Sequence, residues 1–146
     1  MKKFKFTLAP VLEHRERIED EKQQILAVRM TELKSAQNEL AHLNADFKRH
    51  SETLRDRHAD LGTDELRAHY AHLEFLDRSM VMQHAKISGC KSAVERARSE
   101  LLEASKDRKV IEKLKDKRLE QHHAMEAALE QKELDDSNAR RYRSSA

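Results

Sequence analysis

Large apolar residues recur every seventh position along most of this chain. From Leu26 the series runs through Leu33, Leu40, Phe47, Leu54 and Leu61, and a second runs from Leu66 through Leu73, Met80, Ile87, Val94 and Leu101. Sustained heptads specify long helices that pack side by side with a left-handed supercoil. Between the two series lies DLGTDEL, residues 60–66. Gly62 is expected to end one helix in the left-handed conformation and Thr63 to cap the next, with Asp64 and Glu65 favourable in its first turn. Pro10 suits a helix start, and Gly89 is a breaker that a long helix tolerates at about 1 kcal/mol. The pattern therefore predicts one coiled-coil domain over 1–146. It comprises an extended segment 1–9, helix one over 10–61, a turn at 62–63, helix two over 64–141 and a tail 142–146.

Folding the helices antiparallel about Gly62 sets Leu61 against Leu66, Leu54 against Leu73, Phe47 against Met80, Leu40 against Ile87, Leu33 against Val94 and Leu26 against Leu101. Poorer layers alternate with these: His50 near Leu76, Leu43 near Gln83, Ala36 near Cys90, Arg29 near Ala97 and Lys22 near Ala104. Such a seam should bend and fray more readily than a structural coil. Before Leu26 the apolar spacing slips through Val11, Ile18 and Ile25, which relaxes the supercoil. The expected fold class is all-α, two long helices in an antiparallel coiled-coil hairpin with an overhanging C-terminal helix.

The first residues break the helical period. In MKKFKFTLAP, Phe4, Phe6 and Leu8 alternate with Lys and Thr, the period of a strand, yet no other stretch alternates to pair with them. Helix one would span about 78 Å and helix two about 117 Å. Pro10 would meet Lys117, and everything beyond would overhang. An extended prefix reaches about 26 Å, enough to lie along Leu119, Met125 and Leu129. Phe4, Phe6 and Leu8 are thus expected either to brace the overhang or to be buried by another protein.

Composition fits long helices. Of 146 residues 38% are charged, with two glycines, one proline and no tryptophan, which is too charged and too poor in turns for a compact globule. Lysine and arginine number 29 against 27 acids, so net charge selects no partner. A lone cysteine, Cys90, makes no intrachain disulfide and suits a reducing compartment. No apolar run approaches the roughly 20 residues of a membrane span. Lys5 and Thr7 interrupt the prefix, so it does not read as a secretory signal.

Catalytic chemistry finds no foothold. There is no phosphate loop, nucleophile elbow or nucleophile with a placed base, and no cofactor is expected. Glu120 and His123 form a single E-x-x-H, where a di-metal bundle needs two copies and two further glutamates. His58, His69 and His72 would gather near the turn, without the carboxylate pattern of a dedicated metal site. Residues 106–118 mix lysine and arginine with acids as a solvated helix face does. ARRYRSSA is more uniformly basic, and a soluble frayed end accounts for it better than nucleic acid does. More informative are Phe75 and Met82, seven apart and off the seam, bordered by Leu76 and Val81 with Tyr70 a turn earlier. They should form an exposed apolar stripe, and such stripes mark binding surfaces or self-association.

Both ends of the chain resemble one family. FKFTLAPVLEHRERIEDEKQ resembles the start of FliJ-family proteins, coiled-coil components of flagellar type III export. EQKELDD (130–136), ARR (139–141) and Tyr142 resemble the family's C-terminal signature. The resemblance implies a non-enzymatic stalk, similar to the central coiled coil of rotary ATPases. Its paired ends would insert in the hexameric export ATPase and its middle would contact the membrane export gate, with export chaperones as further partners. On that basis Phe4, Phe6, Leu8, Pro10, Leu12, Arg15, Gln131, Lys132, Leu134, Asp135, Arg140 and Arg141 are assigned to the ATPase ring. Tyr70, Leu73, Phe75 and Met82 are assigned to the gate. The expected location is the cytoplasm, at the membrane through partners, without direct insertion and without nucleic acid. The alternatives are an escort or holdase chaperone for export substrates and a generic coiled-coil scaffold.

Overall fold

The computed structural model describes residues 2–145. Two helices make up the fold, α1 (Ala9–Arg57) and α2 (Thr63–Ser145), joined by residues 58–62. Together they form an all-α hairpin, with no strand among the described residues. The strand-like alternation of the prefix yields extended chain over residues 2–6 and a turn at Thr7–Leu8, where the Ala9 N–H donates to the Phe6 carbonyl at 3.1 Å. A single alternating segment has no edge to pair with, so it cannot become a sheet.

Both ends of the connection differ from the sequence expectation. α1 stops at Arg57, not at residue 61, and the Asp60 N–H closes a turn onto the Arg57 carbonyl at 3.0 Å. Gly62 has no positive φ. It serves instead through its carbonyl, which accepts from the Leu66 N–H at 2.9 Å and begins α2. Thr63 is the first helical residue, not the cap. The connection is thus five residues, 58–62, at the long end of the two to five residues that join packed antiparallel helices. Arg55 and Arg57 close α1, and Asp64 and Glu65 open α2, each matched to the helix dipole. At the far end, 142–145 continue α2, with the Ser144 and Ser145 hydroxyls donating to the Arg141 and Tyr142 carbonyls at 3.0 and 3.1 Å.

The chain divides into two compact units, one of Glu21–Leu101 and one of Met1–Asp20 with Leu102–Ala146. In the Glu21–Leu101 unit the heptads do supply the seam. Leu54, Ile87 and Val94 are buried. Yet the layers that seemed weak are covered at least as well, for Ala36, Leu76 and Ala97 are also buried. Leu26, Leu33, Leu40, Phe47, Leu73 and Met80 are only half-buried. A seam of two helices covers small side chains wholly, whereas long ones project past its edges.

The register also differs from the expected one. Lys22 pairs with Glu100 at 3.2 Å instead of lying by Ala104. The His50 ring meets His72 edge-on at 4.4 Å instead of Leu76. Gln83 Nε2 donates to the Ala36 carbonyl at 2.8 Å instead of facing Leu43. Each contact is displaced by a turn or two in the same sense. The cause is the early end of α1, which moves the reversal from Gly62–Thr63 back to about Asp60.

Candidate functional site

The unit of Met1–Asp20 and Leu102–Ala146 is built around a strap. Residues 2–8 lie along α2 with Phe4, Phe6 and Leu8 half-buried and Lys3, Lys5 and Thr7 exposed, so the alternation in sequence becomes an inner and an outer face. Phe4 sits 5.5 Å from the His122 ring. Arg118 holds the strap twice: its guanidinium lies 5.8 Å above the Phe6 ring and Nη1 donates to Thr7 Oγ1 at 3.1 Å. Bracing of α2 by the strap is thus observed at 118–122, while Met125 and Leu129 stay exposed.

Where α1 begins, Leu12 and Ala104 are buried. Arg15 pairs with Asp107 at 3.0 Å. Arg108 bridges Glu19 and Glu112, and its pKa is raised by the hydrogen bond from its guanidinium to Glu19, with both carboxylates adding attraction. This fixes a permanent positive charge between two acids, a structural rather than a reactive arrangement.

Of the residues assigned to the ATPase ring, the structure sets Phe4, Phe6 and Arg15 against α2 between Asp107 and His122, with Leu12 buried and Leu8 half-buried. Pro10 is exposed at the start of α1. Gln131, Lys132, Leu134, Asp135, Arg140 and Arg141 lie in the stretch of α2 from Ala127 to Ser145, where every residue is exposed. Within that stretch Gln131 Nε2 donates to Asp135 Oδ1 at 3.0 Å, one turn apart. Leu134 and Tyr142 stand 59% and 79% exposed.

In the Glu21–Leu101 unit, Phe75, Val81, Met82 and Tyr70 are exposed, while Leu73 is half-buried in the seam. Leu76, expected to border the stripe, is buried. Phe75 stacks on His72 at 6.3 Å, and His72 in turn meets His50, so His72 leaves the grouping expected with His58 and His69. Sequence reasoning missed an apolar patch on α1, where Ile25 and Val28 are exposed beside Glu21, Gln24 and Arg29. The slip in spacing before Leu26 was its signal.

Among the described residues no three His, Cys, Asp or Glu side chains are placed to hold a metal ion, and no helix is long and apolar enough to cross a membrane. The family model for the flagellar FliJ protein matches residues 4–146. The chain belongs to the FliJ family. It is therefore a component of flagellar type III protein export, in a family whose members are non-enzymatic. This FliJ-family chain also shares its fold with a YscO homolog from Chlamydia trachomatis. The TM-score is 0.67 at 21% identity, over 93% of this chain and 90% of that one. No curated protein matches it.

Proposed function

We propose that this FliJ-family protein is a non-catalytic stalk that couples the hexameric export ATPase to the membrane export gate. The observation that carries the reading is the composition of the terminal unit. The strap and the start of α1 are pinned to α2 by Arg118, His122 and Asp107, and α2 then continues as bare helix from Ala127 to Ser145. A helix that exposes Leu134, Tyr142 and a run of charges has no packing reason to persist unless a partner covers it. The ATPase ring is the partner of fitting kind. The apolar stripe of Tyr70, Phe75 and Met82 is the surface for the gate, with Leu73 supporting it from the seam. Recycling of export chaperones uses the same stripe between gate encounters. These contacts hold the protein at the cytoplasmic side of the membrane without its entering the bilayer.

The test is ATP hydrolysis by the purified export ATPase with and without this protein. Truncation after Glu130 removes most of the bare helix and leaves the strap contacts in place. Loss of stimulation is the expected result. Full stimulation by the truncated chain overturns the assignment of the ring end.

A further inference from the structure

The strap covers only part of the α2 face on which it lies. Beside Lys2 and His122 the same face carries a cleft of ≈ 390 Å³ lined by the apolar Met125 and Leu129 and by Glu126, Glu130 and Glu133. These residues recur at three- and four-residue intervals, so they form one line along the helix. Met125 and Leu129 are 67% and 60% exposed. Glu126 is partly engaged by His122 at 3.1 Å and His123 at 3.7 Å.

We infer that this face is a docking groove for an extended, lysine-rich segment of a partner protein, with apolar side chains at alternate positions. Charge and shape both select that occupant. Three carboxylates rim an apolar floor, and among the described residues the lysine lining the cleft is Lys2, which belongs to a segment of this same chemistry. The strap shows how such a segment is held. Phe4 and Phe6 turn to the helix, Lys3 and Lys5 turn out, and the backbone runs extended alongside α2. A partner segment of like pattern either continues the strap across Met125 and Leu129 or displaces it, so the strap is an internal stand-in that limits access. The inference is independent of the ATPase reading, since it concerns the chemistry of the segment and not which protein supplies it.

The probe is a fluorescent peptide of the strap's own sequence, KKFKFTL, titrated into the full-length protein by anisotropy, with Met125 methyl shifts reporting where it binds. Binding at Met125 is expected, tighter in a Phe4→Ala/Phe6→Ala variant whose strap is released. Exposed ion pairs are individually weak, so Glu126→Gln with Glu130→Gln and Glu133→Gln should reduce affinity about tenfold in sum. The near-isosteric Gln variants keep the helix, which circular dichroism verifies. Absence of binding, undiminished binding to the triple variant, equal binding of the charge-reversed EEFEFTL, or shifts that spare Met125 each overturn the inference. None of these results bears on stimulation of ATP hydrolysis by the truncated chain, so the two readings fail separately.

Discussion

Neighbouring residues Phe75 and Leu76 give opposite answers to the same perturbation. Leu76 is 4% exposed and Phe75 is 60% exposed, although both are large and apolar. Truncating a buried leucine to alanine costs about 2–5 kcal/mol, and the lower half applies where neighbours relax into the gap. A two-helix seam relaxes easily, so Leu76→Ala should cost about 2–3 kcal/mol. At about 2–4 °C per kcal/mol for a chain near this length, the melting temperature should fall by about 4–12 °C. Phe75→Asp removes a ring that is largely in water, and exposed substitutions stay within about 0.5 kcal/mol. Its melting temperature should move by no more than about 2 °C. Thermal melts followed by far-ultraviolet circular dichroism measure both. Equal destabilisation by the two variants would refute the division between seam and stripe, and with it the surface proposed for the gate.

Gln83 is a polar residue at a heptad position, 7% exposed, and its donation to Ala36 goes to a carbonyl that helix geometry already provides with a partner. Gln83→Leu should therefore raise stability by about 1 kcal/mol, seen as a higher denaturant midpoint; a drop shows that the hydrogen bond outweighs the apolar gain. Arg118→Ala removes a cation–π contact and a hydrogen bond from the strap, together about 1.5–2 kcal/mol. Hydrogen exchange at the Ala9 amide, bonded to Phe6, should quicken about tenfold or more, and unchanged exchange means Arg118 does not hold the strap. Phe75→Asp with Met82→Asp should leave the melt intact and abolish capture of the export gate; undiminished capture removes the stripe from that role.

The heptads made the helices and the existence of a hairpin legible, because a seven-residue repeat has only one physical use at this length. The register was not legible in the same way. Six large residues in each series align attractively about Gly62, but the alignment depended on where α1 stops, and local sequence leaves that open to within a turn. The choice between Arg57 and Leu61 goes with the length of the connection, which only the folded hairpin displays. Ala36, Ala97 and Ala104 were undervalued for a related reason. Alanine carries little apolar area, so it reads as a weak layer, yet its small size is what lets two backbones approach. That Leu76 is buried and Phe75 exposed was ambiguous from spacing alone, since both lie close to the seam line. The strap was legible as an oddity of period, and its anchors Arg118 and His122 were hidden in a charged stretch with no pattern of its own.

The uncovered length of α2 carries a thermal cost. The end of α2 over Ala127–Ser145 buries no face, so it frays from its terminus and does so more on warming. Any complex that requires those turns to be formed must first order the fraction that has melted, and this fraction grows with temperature. Affinity at that stretch should therefore decline on heating faster than affinity at a preformed surface.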